Sequence, residues 1–324
     1  MNRRHFTFSV TAAALSALHP LAHAQGWPER PIRLVLSQPA GSGPDAMARM
    51  IAEQLSRKWK QSIVVENRPG GQNAIGAQVA ARAAPDGYTF YLATTAALVS
   101  NPYVFKALPY DPKKDFVPVG MVGITPFALL VNSKSSIHTL QDFIAYAKAH
   151  PGKLNVADEG PKTFGGMMTR LLGSSLGVKL YAVPYVTIGA AITDTVGGQT
   201  EALMSGIPPV AEMVKAGQLR PIAVTTSRRV AGWENVPALS EVVPGFDYTG
   251  WIGIVAPAGT PAAAIDRFNR DLDEVLKQKD MAARLLAIGA TSSGAGTVQE
   301  MATFLHTEDL RWAKLTRQIG VQPE

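Results

Sequence analysis

The sequence predicts an α/β fold built as two units of similar size, and three observations carry that prediction. Segments with strand and helix patterning alternate along most of the chain, an order that gives sheets with helices on their faces, here expected to be largely parallel. With an N-terminal export segment set aside, 300 residues remain, enough for two domains of ordinary size. No low-complexity linker separates the units, so strands crossing directly between them are expected, as in a hinged pair.

The first unit reads as βαβαβ. Ile32-Arg33-Leu34-Val35-Leu36 is a buried strand, and Ala48, Ile51, Ala52, Leu55 and Trp59 recur on one helix face. Ile63-Val64-Val65 is a second strand, Ile75, Val79 and Ala80 mark a second helix, and residues 88–93 form a third strand. In the second unit, strands are expected at 127–131, 154–157, 178–182, 201–204 and 219–226. Helices are expected around Leu140, Phe143, Ile144 and Ala147, across 167–172 and across 188–196. The tail from Thr260 onward reads as helical. Thr260-Pro261 looks like an N-cap followed by a first-turn proline, and Thr297-Val298-Gln299-Glu300 like a capping box.

The N-terminus has the three parts of a cleaved export signal over residues 1–24. Arg3 and Arg4 give a positive start, residues 6–21 are uncharged and apolar, and Ala22-His23-Ala24 is a small-x-small cleavage pattern before Gln25. Arg3-Arg4-His5-Phe6 also partly resembles a twin-arginine export motif.

Composition excludes several chemistries. There is no cysteine, so neither a disulfide nor a thiolate nucleophile is available. Past the signal only His138, His150 and His306 remain, without metal-ligand spacing, so no metal site and no histidine-driven catalytic site is expected. Net charge is +6, or +4 once Arg3 and Arg4 leave. The basic residues are scattered and aromatics few, so no nucleic-acid surface is expected.

Gly41-Ser42-Gly43-Pro44-Asp45-Ala46 matches G-x-G-x-x-A between a strand and a helix, and Glu66 follows where a dinucleotide fold places its ribose-binding acid. The alternative this raises is an exported dinucleotide-dependent oxidoreductase. Against it, Gln38-Pro39-Ala40 lengthen the turn and Pro44 removes an amide. Whichever holds, glycines and a helix start make an anion site suited to a carboxylate or phosphate. Asp45 reads as an acid that stabilises the helix start. Gly173-Ser174-Ser175-Leu176-Gly177 matches a hydrolase G-x-S-x-G, but a helix precedes it and a strand follows, the reverse of a nucleophile elbow. Gly173 and Gly177 read better as helix-ending residues.

Taken in order, seven segments resemble the Bug-type substrate-binding receptors of tripartite tricarboxylate transporters. They are Pro39-Ala40-Gly41-Ser42-Gly43-Pro44-Asp45 with Arg49; Val65-Glu66-Asn67-Arg68-Pro69-Gly70 through Ile75-Gly76-Ala77; Ala84-Pro85-Asp86-Gly87-Tyr88-Thr89; Leu108-Pro109-Tyr110-Asp111-Pro112 with Asp115-Phe116; Val183-Pro184-Tyr185 with Asp194 and Gly197-Gly198-Gln199; Leu219-Arg220-Pro221-Ile222-Ala223-Val224; and Ala256-Pro257-Ala258-Gly259-Thr260-Pro261. The resemblance implies a type II periplasmic-binding fold in which two α/β lobes close over a small organic acid: a monomeric, non-enzymatic periplasmic receptor without cofactor. Its partners would be the ligand and the transporter's membrane subunits. Lobe 1 is expected at residues 25–125 and 252–324, and lobe 2 at 126–251.

The cleft is expected at the C-terminal ends of the strands. That places Gln38, Ala40, Gly41, Ser42, Gly43, Thr94 and Thr95 in the first wall, and Asp158, Thr163, Pro184, Tyr185 and Ser205 in the second. Several residues depart from the family pattern. Gln38 stands where an aromatic is frequent, Gln72-Asn73 replace glycines, and Ala96-Ala97-Leu98 replace a frequent S-T-H. Asp158-Glu159 replace small polar residues, and Val186-Thr187 replace a K-G pair. An acid facing a ligand carboxylate is repelled unless a cation or proton intervenes. The departures therefore point to a ligand with an amine, several hydroxyls, or an apolar ring against Leu98; Glu159 is expected to face solvent.

Overall fold

The computed structural model describes residues 26–323; the export signal lies outside them. Two five-stranded sheets organise the chain. In the first, β1 (Ile32–Leu36), β2 (Ile63–Asn67) and β3 (Thr89–Thr94) alternate with helices α1 (Gly43–Trp59) and α2 (Ala74–Ala81). A helical stretch at Ala96–Ser100 runs into the short α3 (Asn101–Val104) before the long strand β4 (Phe116–Thr125). Only Pro126 separates β4 from β5 (Phe127–Asn132), which belongs to the second sheet.

That sheet grows through α4 (Leu140–Ala149), β6 (Asn155–Asp158), α5 (Phe164–Leu176), β7 (Tyr181–Pro184) and α6 (Ile188–Val196). It ends with β8 (Ala202–Gly206), α7 (Ile207–Lys215) and β9 (Leu219–Val224). Residues 225–249 then return the chain to the first sheet as β10 (Gly250–Pro257). Helices α8 (Ala262–Leu276), α9 (Lys279–Ala287) and α10 (Val298–Gln318) complete it.

The strand orders are β2-β1-β3-β10-β4 and β7-β6-β8-β5-β9, so the two sheets repeat one plan. In each, a strand pairs in parallel with the next two strands of its own sheet, and a strand arriving across the hinge runs antiparallel to its neighbours. The sheets are therefore mixed rather than largely parallel. The expectation missed β4 and β10, the strands on either side of the crossings. β10 (GWIGIVAP) is buried at every position and β4 carries Pro118 and two glycines, so neither alternates in polarity.

Two smaller expectations also change. Pro261, not Thr260, is the N-cap of α8, and the Thr260 hydroxyl donates instead to the Pro257 carbonyl at 2.7 Å. Gly177 ends α5 in the left-handed region with φ 63°, but Gly173 lies inside that helix, so the G-x-S-x-G match sits on a helix and forms no elbow. The Thr297–Glu300 capping box is present as expected.

Helix α10 ties the lobes together. Its Glu308 accepts from the buried Trp251 Nε1 of β10 at 3.0 Å. Its fully buried Trp312 lies 5.8 Å, centroid to centroid, from Phe164 at the start of α5. Phe164 in turn stands 4.5 Å from Phe127, the first residue after the Pro126 crossing. This aromatic run joins the hinge to the loop that leads into α5. No helix among the described residues is long and apolar enough to cross a membrane.

Candidate functional site

The loop between β1 and α1 is closed on itself by one acid. Asp45, buried in the first turn of α1, accepts from the Gly41 N–H and Arg49 Nε, each at 2.9 Å, and from Asn67 Nδ2 at 2.8 Å. Burial pushes its carboxyl up, but the Arg49 and Asn67 bonds, the Gly41 N–H and the Arg49 charge outweigh burial and leave its pKa lowered. Ser42 is the N-cap: its Oγ accepts from the Asp45 N–H at 3.4 Å and donates to the Pro39 carbonyl at 2.8 Å. Asp45 thus does more than complement the helix dipole. It holds the loop shut and occupies the Gly41 amide.

A polar chain continues along the ends of the strands. Gln38 Nε2 donates to Asn73 Oδ1 at 2.9 Å, and Asn73 Nδ2 to Thr94 Oγ1 at 3.4 Å. The Ser37 hydroxyl donates to the Asn73 carbonyl at 2.8 Å. Asn73 ends a run of four residues with positive φ, Gly70 to Asn73, a strained way to aim a side chain unless the surroundings fix it. Asn73 was not among the expected site residues; its mark in the sequence is a pair of non-glycines directly after Gly70-Gly71. Gln38 Oε1 is buried with no partner. Thr95 is committed elsewhere: its buried Oγ1 accepts from the Trp251 N–H at 3.0 Å and donates to the Trp251 carbonyl. Leu98 is buried in the core.

In the second lobe, Asp158 ends β6 and is 1% exposed. Its Oδ1 accepts from the Gly160 N–H at 2.8 Å, and its Oδ2 has no partner. Burial pushes its pKa up; the Gly160 N–H and the nearby Thr169 hydroxyl soften the shift without reversing it. That hydroxyl is itself committed to the Gly165 carbonyl at 3.2 Å. Glu159 is solvent-accessible, yet surrounding protein strips enough hydration to push its pKa up as well, with the Asp158 charge adding to the rise.

Most hydroxyls of the second wall are also in use. Thr163 caps α5, accepting from the Gly166 N–H at 3.2 Å and donating to the Gly160 carbonyl at 2.8 Å. The Tyr185 hydroxyl donates to Asp194 at 2.7 Å. Ser205 is fully buried and donates to the Gly206 carbonyl. Pro184 is exposed at the end of β7.

What remains unpaired defines what the loops can do. Among the described residues, the N–H groups of Gly43 on α1, Phe164 and Gly165 on α5, and Ile188 and Gly189 on α6 have no protein acceptor. Helix α7 offers none: the Ile207 N–H is taken by the Pro126 carbonyl, and Pro208 and Pro209 carry no N–H. A methyl group built on Gly41, Gly43, Gly160 or Gly189 would meet no atom within 4 Å, so these backbones face open space. Unpaired amides at helix starts suit anions. The residue set holds no metal cluster among the described residues.

A cavity of about 400 Å³ lies apart from these loops, between α5, β7 and Gln318-Ile319. Its Arg170 donates to the Ile319 carbonyl at 2.8 Å, which ties α5 to the end of α10. The dinucleotide alternative loses its two supports here. The Gly41 amide is occupied, and the Glu66 carboxylate is held by Arg33 at 2.8 Å and by Arg68 at 2.6 Å.

Two α/β lobes of one plan, joined by a single-residue crossing and a returning segment and carrying open helix starts, define a solute-binding receptor rather than a catalyst. The family model for the tripartite tricarboxylate transporter family receptor matches residues 47–321, and the chain belongs to that family. It is 36% identical to a UPF0065 protein of Bordetella bronchiseptica, over 98% of this chain and 94% of that one. Among solved structures it is similar to Rpa4515 of R. palustris with adipate (TM-score 0.84, 31% identity, 92% of this chain and 100% of that one). It is also similar to MatC of Rhodopseudomonas palustris with bound malate (TM-score 0.77, 28% identity, 89% and 99%). The chain is thus a solute-binding receptor of the periplasmic type, linked by family to a tripartite tricarboxylate membrane transporter.

Proposed function

We propose that this receptor captures a small organic acid by hinge closure and delivers it to a tripartite tricarboxylate-type membrane transporter. The observation that carries the ligand class is the set of open amides at the starts of α1 and α5, on loops in equivalent positions of the two sheets. Two relatives described with adipate and with malate support the same class. Closure would bring the two helix starts onto one ligand, whose differential affinity for the closed state drives the shift.

The ligand-binding residues in this reading are Gln38, Ala40, Gly41, Ser42, Gly43 and Thr94 from lobe 1, with Asn73 added. Lobe 2 contributes Asp158, Thr163, Pro184 and Tyr185. Thr95 and Ser205 serve as supports, because both are buried as well as internally bonded. Lobe 1 comprises residues 25–125 and 252–324, and lobe 2 residues 126–251. The chain reaches the periplasm through a cleaved signal at residues 1–24 and works as a monomer without nucleic acid.

A thermal-shift screen across mono- and dicarboxylates tests the reading. A ligand at 100 times its Kd adds about 2.7 kcal/mol of stability, a shift of several degrees for a chain this long. A screen without a single shift removes the small-acid assignment.

A further inference from the structure

The unpaired groups of the site fall into two chemical kinds. The backbone contributes donors: the N–H groups of Gly43, Phe164 and Gly165. The side chains contribute acceptors: Gln38 Oε1 in the first lobe and Asp158 Oδ2 in the second, each buried and without a partner. Helix starts are satisfied by a carboxylate. Gln38 Oε1 and Asp158 Oδ2 are not, and a carboxylate brought to them would be repelled. A buried acceptor left unmade costs about 1–3 kcal/mol, more when charged.

Asp158 makes the asymmetry sharp. It is an acid at the end of a central strand, with one oxygen tied to the Gly160 N–H and the other to nothing. Burial, the Gly160 N–H and the Thr169 hydroxyl are what act on its carboxyl, and Lys162 of the same loop stands over the Phe105 ring at 5.5 Å. The adjacent Glu159 adds a second negative charge on the same loop. Gly160 has a φ of 111°, and a methyl group built on it would meet no atom within 4 Å.

We propose that the ligand is a small acid that also carries a protonated amine, its carboxylate held at the helix starts and its ammonium by Asp158, with Gln38 Oε1 accepting a second donor from the ligand. This rests on the small-acid receptor reading and names the ligand class within it. Asp158 is then the specificity-determining residue: it admits an amino acid and rejects the same acid without its amine. Discrimination of this kind is strong because the deaminated ligand leaves a buried acceptor unpaired.

Matched pairs test it by calorimetry in chelator-containing buffer: aspartate against succinate, glutamate against glutarate, 2-aminoadipate against adipate, phenylalanine against 3-phenylpropionate. At least one amine-bearing member should bind about tenfold or more tightly than its deaminated partner. Asp158→Asn, which keeps the shape and the acceptor for Gly160, should cut that affinity about tenfold or more and leave the deaminated acid's affinity unchanged or improved. Asp158→Ser should do the same and guards against a folding defect in one variant. Glu159→Gln, on an exposed side chain, should change affinity less than about threefold.

Deaminated acids binding as well as or better than their amines, or an unchanged preference in both Asp158 variants, overturns the proposal while leaving the small-acid receptor intact. Binding restored only by added calcium or magnesium overturns it too, because a cation would then be serving Asp158. No binding from any member removes the small-acid reading and this proposal with it.

Discussion

The loops after β1 and β6 occupy equivalent places in the two sheets, and they handle an acid in opposite ways. Each leaves the strand that its sheet pairs on both sides, and each ends in a hydroxyl N-cap, Ser42 or Thr163. In the first, Asp45 is buried and every demand it makes is met by Gly41, Arg49 and Asn67. In the second, Asp158 is buried and one of its oxygens is bonded to nothing. The two lobes share a backbone device for anions but differ in charge balance. The acid of the lobe 1 loop is fully satisfied, and that of lobe 2 waits for a donor.

The sharpest break of the comparison is Asp45→Ala. It frees the Gly41 amide, Asn67 and Arg49 together, and hydrogen bonds to a charged group contribute about 1.5–3 kcal/mol. Because the Arg49 side chain is 53% exposed, its ion pair adds little on its own. A loss of about 2–3 kcal/mol in urea unfolding is expected. A loss below about 0.5 kcal/mol would mean that the loop holds its shape without Asp45.

Asp158→Asn should act in the opposite direction on the empty protein. Removing a buried, half-satisfied charge should raise stability at neutral pH by about 1 kcal/mol, while ligand binding falls. The pH dependence separates the two acids. Asp45 has a folded pKa below its unfolded value, so its contribution is present above about pH 4 and is lost as pH falls through the folded value. Asp158 has a folded pKa above its unfolded value, so its penalty is absent below about pH 4, grows between the two values and persists above. The neighbouring Glu159, also raised, adds to that penalty in the same direction. Denaturation curves of Asp45→Asn and Asp158→Asn should therefore differ from wild type with opposite sign at pH 7; the Asp158→Asn difference vanishes below about pH 4, and the Asp45→Asn difference only at still lower pH. Equal signs at pH 7 would erase the distinction between the lobes.

How much of this was legible in the sequence follows from where period and burial agree. The β1-α1-β2-α2-β3 run was readable because Ala48, Ile51, Ala52, Leu55 and Trp59 fill one buried helix face between short apolar strands. β10 was not, since burial on both sides removes the alternation that marks a strand, and β4 was not, since Pro118 and two glycines interrupt it. At the site, the caps at Ser42 and Thr163 emerge only from the structure, whereas the glycine loop could be read from residue types. Which polar atoms stay unpaired could not, because Thr95 meets Trp251 across 156 residues and Gln38 meets Asn73 only after the left-handed turn forms. The departures from family pattern at Gln38, Asn73 and Asp158 were visible, and they coincide with the polar chain and the unpaired acid.

The smallest effect on folding, and a direct check on the lobe 1 wall, comes from its glycines. Gly43 has an ordinary backbone conformation and open space beside it, so Gly43→Val should change stability by less than about 0.5 kcal/mol. The added branches would shadow the one α1 amide that has no protein acceptor, and ligand affinity should fall about tenfold. Gly41 has equal room but a φ of 82°, so Gly41→Val should cost roughly 1–2 kcal/mol from backbone strain alone, its amide being already held by Asp45. If Gly43→Val binds ligand as wild type does, the α1 start is not a carboxylate site. Recognition would then rest on α5 and α6, and the β1–α1 loop would serve only to shape the cleft.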